Sequence, residues 1–265
     1  MSILNEIVKN KQLELDRPNR TIDITGHCTG VAPEDRRSFV GALGGDKVGV
    51  IAEIKKKSPS VGDLAKGQDL IAKAQEYEGA GVDAISVVTD KKYFGGSFEL
   101  FTKIRNATKI PMLMKDFIIH PHQVLQAEQA GADALLIIGA LHHHFHADLL
   151  STLAQTNITP VVEVAHENEL ELPFVKSSRV IGVNARDLNT FDVSVDRACS
   201  IIKKISKPSQ TRSQDPIVIG FSGISSRSDI ERYHRAGAQA VLVGEMLMKT
   251  GDIKETITSL RLNNS

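Results

Sequence analysis

The residues best suited to chemistry in this sequence are a few lysines and glutamates set among valines and isoleucines. Glu53 and Lys55 close the apolar run that starts at Val48, Lys115 closes the run from Ile110, and Glu163 stands between Val162 and Val164. Asn184 ends a further run, with Arg186 two residues on. On an extended strand residues two apart point the same way, so Glu53 and Lys55 share a side. A glutamate between valines is tolerated in a buried strand when it is paired. Glu raised by burial and Lys lowered by burial and cationic neighbours are what general acid/base catalysis near neutral pH requires. For each position alone, the competing reading is a paired structural charge or a solvated strand end.

The elements that must position these groups are eight Val- and Ile-rich runs, starting at residues 48, 84, 110, 134, 159, 180, 216 and 240. Their near-continuous apolar character, as opposed to strict alternation, marks strands buried on both faces, as in a parallel sheet covered by helices. Successive starts lie 21 to 36 residues apart, enough for a crossover helix each time. The segments Ala80-Gly81-Val82-Asp83-Ala84, Ala130-Gly131-Ala132-Asp133-Ala134 and Ala236-Gly237-Ala238-Gln239-Ala240 repeat one junction. In each, glycine ends a helix in the left-handed conformation before a strand begins. No G-x-G-x-x-G follows the first run, so a single (β/α)8 barrel fits better than an open doubly wound sheet. In such a barrel the strand ends carrying Glu53, Lys55, Lys115, Glu163 and Asn184 converge on one mouth.

The last two runs close in Ser222-Gly223-Ile224-Ser225 and Val243-Gly244-Glu245-Met246. Glycine there permits close backbone approach, and helices after strands 7 and 8 aim their amides at the mouth, the usual phosphate site of this fold. Otherwise both glycines serve tight turns only.

Residues 1–47 are surplus to the barrel, which takes residues 48–265. Residues 2–16 read as an amphipathic helix with Ile3, Leu4, Ile7 and Val8 on one side, and Phe39-Val40-x-x-Leu43 as a second short helix. Residues 17–34 between them are rich in Pro, Thr and Gly. The extension is expected to pack over one barrel mouth. Residues 56–67 form a long first loop, with Gly62 and Gly67 as hinges of a possible lid.

Composition narrows the function classes. The 265 residues carry 32 Lys+Arg against 32 Asp+Glu, which excludes a polybasic nucleic-acid surface as the main idea. Cys28 and Cys199 are the only cysteines and lie far apart, so neither a disulfide framework nor a zinc site is encoded, and a reducing compartment fits. The longest apolar run, near residues 134–141, is too short to span a membrane. A cytoplasmic protein, monomer or weak homodimer, is expected. His142-His143-His144-x-His146 with Asp148 has an i, i+4 pair, but no matching Cys or carboxylate cluster follows; it reads as a solvated helix start, and no metal is expected.

With these residues assembled, the chain resembles the indole-3-glycerol phosphate synthase family over nearly its whole length. The resemblance rests on Ala52-Glu53-Ile54-Lys55-Lys56-x-Ser58-Pro59-Ser60, Thr89-Asp90-x-x-Tyr93-Phe94-Gly95-Gly96-Ser97 and Lys115-Asp116-Phe117-Ile118-Ile119. Val162-Glu163-Val164, Asn184-x-Arg186-Asp187-Leu188 and Ser222-Gly223-Ile224 follow in order. It implies closure of 1-(2-carboxyphenylamino)-1-deoxyribulose 5-phosphate to indole-3-glycerol phosphate, with loss of carbon dioxide and water and no cofactor. It further implies that Lys115 and Lys55 serve the ketose carbonyl and the anthranilate carboxylate, their roles undivided, and that Glu163 serves the dehydration. By the same resemblance Glu53 orients the lysines, Asn184 positions substrate near the migrating hydroxyl, and Arg186 meets the carboxylate. Ser58, Ser222, Gly223, Gly244 and Glu245 line the phosphate side.

Three positions depart from the family pattern. Phe221 stands where the family usually has Glu, replacing an active-site carboxylate by an aromatic ring. Met114 and Ala185 replace a common Arg and a second Asn, each one residue off the catalytic parity. Phe221 therefore leaves a second reading, a related phosphosugar-binding barrel with altered or lost activity.

Overall fold

The computed structural model of the protein describes residues 3–16, 35–45, 47–207 and 215–262. Cys28 and the Pro-, Thr- and Gly-rich stretch 17–34 lie outside the described residues. Eight parallel strands close into a barrel: β1 (Gly49–Ile54), β2 (Ala84–Val88), β3 (Met112–Lys115), β4 (Ala134–Ile138), β5 (Thr159–Val164), β6 (Val180–Asn184), β7 (Ile217–Phe221) and β8 (Ala240–Val243). β1 pairs with both β2 and β8, so no edge is left open. The strand ladder and its eight-fold βα repeat are those read from the apolar runs.

Alternation sorts each strand into two cores. Val50, Ala52 and Ile54 of β1 join Met112, Met114, Ile181 and Val183 in the layer between strands and outer helices. Ile51, Leu113, Leu136, Val161, Ile219 and Leu242 fill the barrel interior. Met114 falls in the outer layer and is fully buried, so the family's Arg position there faces helices and not the mouth. Gly81, Gly131 and Gly237 take φ of 82°, 81° and 111°, the left-handed helix stops expected at the repeated junction.

Helices begin where side chains satisfy their first amides. Asp69 caps α3 (Leu70–Gly79), Ser97 caps α4 (Phe98–Ala107) and Ser194 caps α8 (Val195–Ile205). Between α4 and α8 the outer ring holds α5 (Pro121–Gln129), α6 (Leu149–Ala154) and α7 (Pro173–Lys176). After β7 and β8 come α9 (Arg227–Ala236), α10 (Glu245–Lys249) and α11 (Ile253–Leu260).

The two pieces of the N-terminal segment sit at opposite ends of the barrel. α2 (Phe39–Leu43) lies at the amino ends of the strands, where a Cβ on Gly49 would meet Leu43 and Ala240. Just before it, Arg37 donates to the carbonyls of Thr108 at 2.6 Å and Ile110 at 2.8 Å. α1 (Ile3–Leu15) lies at the carboxyl ends instead, with Leu4, Ile7 and Val8 in one cluster with Phe117 and Ile119. The first loop is not featureless: Lys57–Ser58 and Gly62–Asp63 pair as a short antiparallel ribbon, and Leu64 and Ala65 are buried.

Candidate active site

One buried carboxylate joins the carboxyl ends of β1 and β3. Glu53 Oε1 lies 2.8 Å from Lys55 Nζ, and Glu53 Oε2 accepts a hydrogen bond from Lys115 Nζ at 2.8 Å. Glu53 is sealed while both lysines reach the cavity. Burial works against the Glu53 charge, yet the two ammonium groups outweigh it and hold its pKa down at about 2. Glu53 is therefore a permanent anion at neutral pH.

The second carboxylate is pushed the other way. Glu163 lies beside Gly182 in the β5–β6 ladder, and Asn184, two residues further along β6, donates from Nδ2 to Glu163 Oε1 at 3.0 Å. Glu163 Oε2 is buried and has no hydrogen-bond partner among the described residues. Burial raises the Glu163 pKa against the opposing pull of Lys115 and Asn184. Two carboxylates whose environments drive them apart mark an acid/base partner beside a fixed charge.

Lys115 does not behave as the sequence suggested. Burial does disfavour its ammonium, but Glu53 and Glu163 more than compensate, and its pKa is raised. The reason is geometric: two carboxylates, and not cationic neighbours, dominate its surroundings. Lys115 is consequently held as an ammonium, a positive pole at the barrel mouth and not a neutral amine. Its Nζ also stands 5.8 Å from the centre of the Phe221 ring, within cation–π range. That ring is buried against Gly182, where a Cβ would come within 2.5 Å of two ring carbons. Phe221 thus fits because β6 carries glycine opposite it.

Around this pair of poles lies a cavity of about 520 Å³, open at the carboxyl ends of the strands. Each residue selected from the sequence lines it. Arg186 anchors its own loop, donating from its guanidinium to the Phe191 carbonyl at 3.1 Å while its backbone N–H meets Asn184 Oδ1 at 2.9 Å. Ser222 takes φ of +65°, a left-handed conformation uncommon outside glycine, and Gly223 follows at +68°. Tyr233 steadies that turn by donating to the Ser222 carbonyl at 3.0 Å. Ser58 Oγ accepts from the Val61 N–H at 3.2 Å, and Glu245 pairs with Lys249 at 2.5 Å.

Gly244 has a role that its motif did not suggest. A Cβ there would lie 2.6 Å from Glu53 Oε1, so the missing side chain makes room for the buried carboxylate. Sequence reasoning also passed over Lys249, which lines the cavity one helical turn after Glu245. It missed Lys11 as well, although its spacing from Ile7 and Val8 places it on the apolar face of α1, and that was the available signal.

A sequence profile of indole-3-glycerol phosphate synthase matches residues 4–260. The chain belongs to the indole-3-glycerol phosphate synthase family. Two enzymes of that name from Staphylococcus aureus, strains MRSA252 and USA300 / TCH1516, are 37% and 36% identical over 264 residues, 99% of this chain and 98% of theirs. As an indole-3-glycerol phosphate synthase, it is a carbon–carbon lyase of tryptophan biosynthesis. Among solved structures, thiamine phosphate pyrophosphorylase from Pyrococcus furiosus superposes with a TM-score of 0.56 at 12% identity, over 80% of this chain and 93% of that one. That likeness concerns the fold alone. No helix among the described residues is long and apolar enough to cross a membrane.

Proposed function

We propose that Lys115, Lys55 and Glu163 divide the ring closure of 1-(2-carboxyphenylamino)-1-deoxyribulose 5-phosphate among themselves. The observation that carries this reading is the opposite drive on the two carboxylates flanking Lys115. In the first step the ring carbon bearing the carboxylate bonds to the ketose carbonyl carbon. The carbonyl π electrons move to oxygen, which takes a proton from a lysine ammonium. Lys115 suits that donation, held cationic by Glu53 at 2.8 Å. Lys55, paired with the other oxygen of the same carboxylate, meets the anthranilate carboxylate.

Loss of carbon dioxide breaks the ring–carboxylate bond and returns its electron pair to the ring. Dehydration then breaks the carbon–hydroxyl bond, with Glu163 protonating the departing oxygen, the nitrogen lone pair assisting through the ring, and the neighbouring ring methylene (the ketose C1) losing a proton, so that the indole nitrogen keeps its hydrogen. One carbon dioxide and one water leave, and no electrons are gained or lost overall. Asn184, bonded to Glu163 at 3.0 Å, fixes which oxygen of that acid is free for the hydroxyl. Arg186 supports the substrate carboxylate. The turns at Ser222-Gly223 and Gly244-Glu245, with Ser58, receive the phosphate. We also infer that residues 1–47 and 48–265 act together as one cytoplasmic unit, monomeric or weakly dimeric, which sedimentation velocity would test.

The sequence contains no tryptophan, so growth of indole fluorescence on mixing protein and substrate is read free of a protein tryptophan background. Chelator-treated wild type is expected to form indole-3-glycerol phosphate. Lys115→Ala is expected to lose roughly 100- to 10,000-fold of the rate. A folded wild type that binds substrate without forming product would favour the second reading, with Phe221 as the group responsible.

A further inference from the structure

Among the described residues, three groups stand outside the acid/base pair: a histidine cluster around His120 and His146, the His166–Asp187 pair at a small side cavity, and a buried lysine in α1. The last is tied most directly to the reacting groups. Lys11 Nζ lies 2.7 Å from Asp116 Oδ1 and 3.0 Å from Asp90 Oδ2, with Glu14 Oε2 at 3.5 Å. The lysine and both aspartates are almost wholly excluded from solvent. Asp90 Oδ2 makes no hydrogen bond of ordinary geometry among the described residues, so the Lys11 ammonium is what compensates it.

Each aspartate holds a different part of the cavity wall. Asp90 Oδ1 accepts from the backbone N–H groups of Tyr93 at 2.7 Å and Phe94 at 3.2 Å, and the Phe94 carbonyl in turn accepts from the Lys57 N–H at 3.1 Å. Asp116 directly follows Lys115; its Oδ1 accepts from the Phe117 N–H at 2.7 Å and its Oδ2 from Thr89 at 2.8 Å. The Thr89 N–H, finally, reaches the Lys115 carbonyl at 3.0 Å.

We propose that Lys11 is a positioning residue for Lys115 and for the Phe94 loop, so that α1 belongs to the catalytic apparatus through one buried ammonium. The proposal rests on the acid role assigned to Lys115 above. One cation ties the segments that follow β2 and β3 to each other beside the Thr89 bonds, so a shift of the Lys115–Asp116 backbone would strain the triad. The burial that disfavours the Lys11 charge is outweighed by Asp116, Asp90 and Glu14, so Lys11 stays charged throughout the working pH range.

The test is Lys11→Met, with Lys11→Arg beside it, read by steady-state kinetics and by amide hydrogen exchange well below the unfolding temperature. Lys11→Met is expected to lose kcat on the order of 100-fold, the scale for misplacing a reacting group by about 1 Å, with KM little changed. Asp90 and Asp116 would then face each other, with Glu14 alongside and no cation between them. Lys11→Arg should restore much of the rate. Exchange should quicken at residues 90–96 and 115–119 and stay unchanged at 159–184. Should Lys11→Met fail to fold, Lys11→Met/Asp90→Asn keeps the net charge of the native triad and is expected to fold with the same local exchange pattern. An active wild type whose Lys11→Met variant keeps native kcat at every pH overturns the proposal while leaving the activity standing. Native exchange at residues 90–96 and 115–119 in a folded variant overturns it whatever the activity.

Discussion

Glu53→Gln tests the charge arrangement at its centre. The side chain keeps its shape and loses the charge that Lys55 and Lys115 share at 2.8 Å each. A fall from the ordinary 4.5 to about 2 corresponds to about 3 kcal/mol in favour of the ionised form in the folded protein. Breaking a buried pair by removing one partner costs ~3–5 kcal/mol, so two independent routes agree. Because folding lowers this pKa, the contribution is complete above 4.5 and is lost as pH falls towards 2. Urea unfolding followed by far-ultraviolet circular dichroism should therefore place Glu53→Gln about 3 kcal/mol below wild type at neutral pH. The gap should narrow steadily below pH 4.5. Activity carries a second signature. Without Glu53 only Glu163 opposes the burial of the Lys115 ammonium, so the alkaline limb of the pH–rate profile should move to lower pH, with kcat down about 100-fold. A stability gap independent of pH, or an alkaline limb that stays in place, would refute the assignment of Glu53 as the fixed anion.

Three further substitutions probe the neighbours. Glu163→Gln keeps the acceptor for Asn184, and it should lose about 100- to 10,000-fold in kcat. It should also be more stable than wild type at pH 8, since a raised carboxyl pKa penalises the fold above its unfolded value; urea titrations at pH 8 and pH 4 check that the gain vanishes in acid. Phe221→Leu removes the ring under Lys115 and should cost about 1–3 kcal/mol in urea unfolding, with a several-fold fall in kcat; unchanged kinetics would show the ring to be packing alone. Gly244→Ala drives a methyl group into Glu53 Oε1, so kcat should fall at least about tenfold, and a crystal structure should show the Glu53–Lys55 pair opened.

Much of this was legible in the sequence because a parallel barrel writes itself in short apolar runs at regular spacing. The parity of Glu53 and Lys55 and the placement of Glu163 between two valines follow from strand alternation, and so does the relegation of Met114 to the outer layer. What could not be read was anything depending on contacts across the barrel. The sign of the Lys115 perturbation is one case, because it depends on which charges face it, and the sequence does not say that Glu53 and Glu163 there outweigh burial and the opposing charge of Arg186. The position of α1 is another: an apolar face says that a helix packs, not at which end, and the segment proved to be split between both ends.

Phe221 and Gly244 show how the barrel accommodates this chemistry. Seating a carboxylate on β1 where two lysines can share it requires space, and that space comes from the residue just after β8, where any side chain at 244 would strike Glu53. Seating an aromatic ring on β7 beneath Lys115 requires space from β6, and Gly182 supplies it. The ring brings no charge, so Glu53 and Glu163 are left to hold the Lys115 ammonium against burial and Arg186. A further ionised carboxylate in place of the ring would stabilise the Lys115 ammonium more strongly. It would also add a like charge near Glu163, favour its protonated form, and shift the acid limb of the pH–rate profile upward. With the uncharged ring in place, burial raises the Glu163 pKa chiefly against Lys115 and Asn184, the setting the proposed acid role requires, while Glu53 stays the site's constant anion.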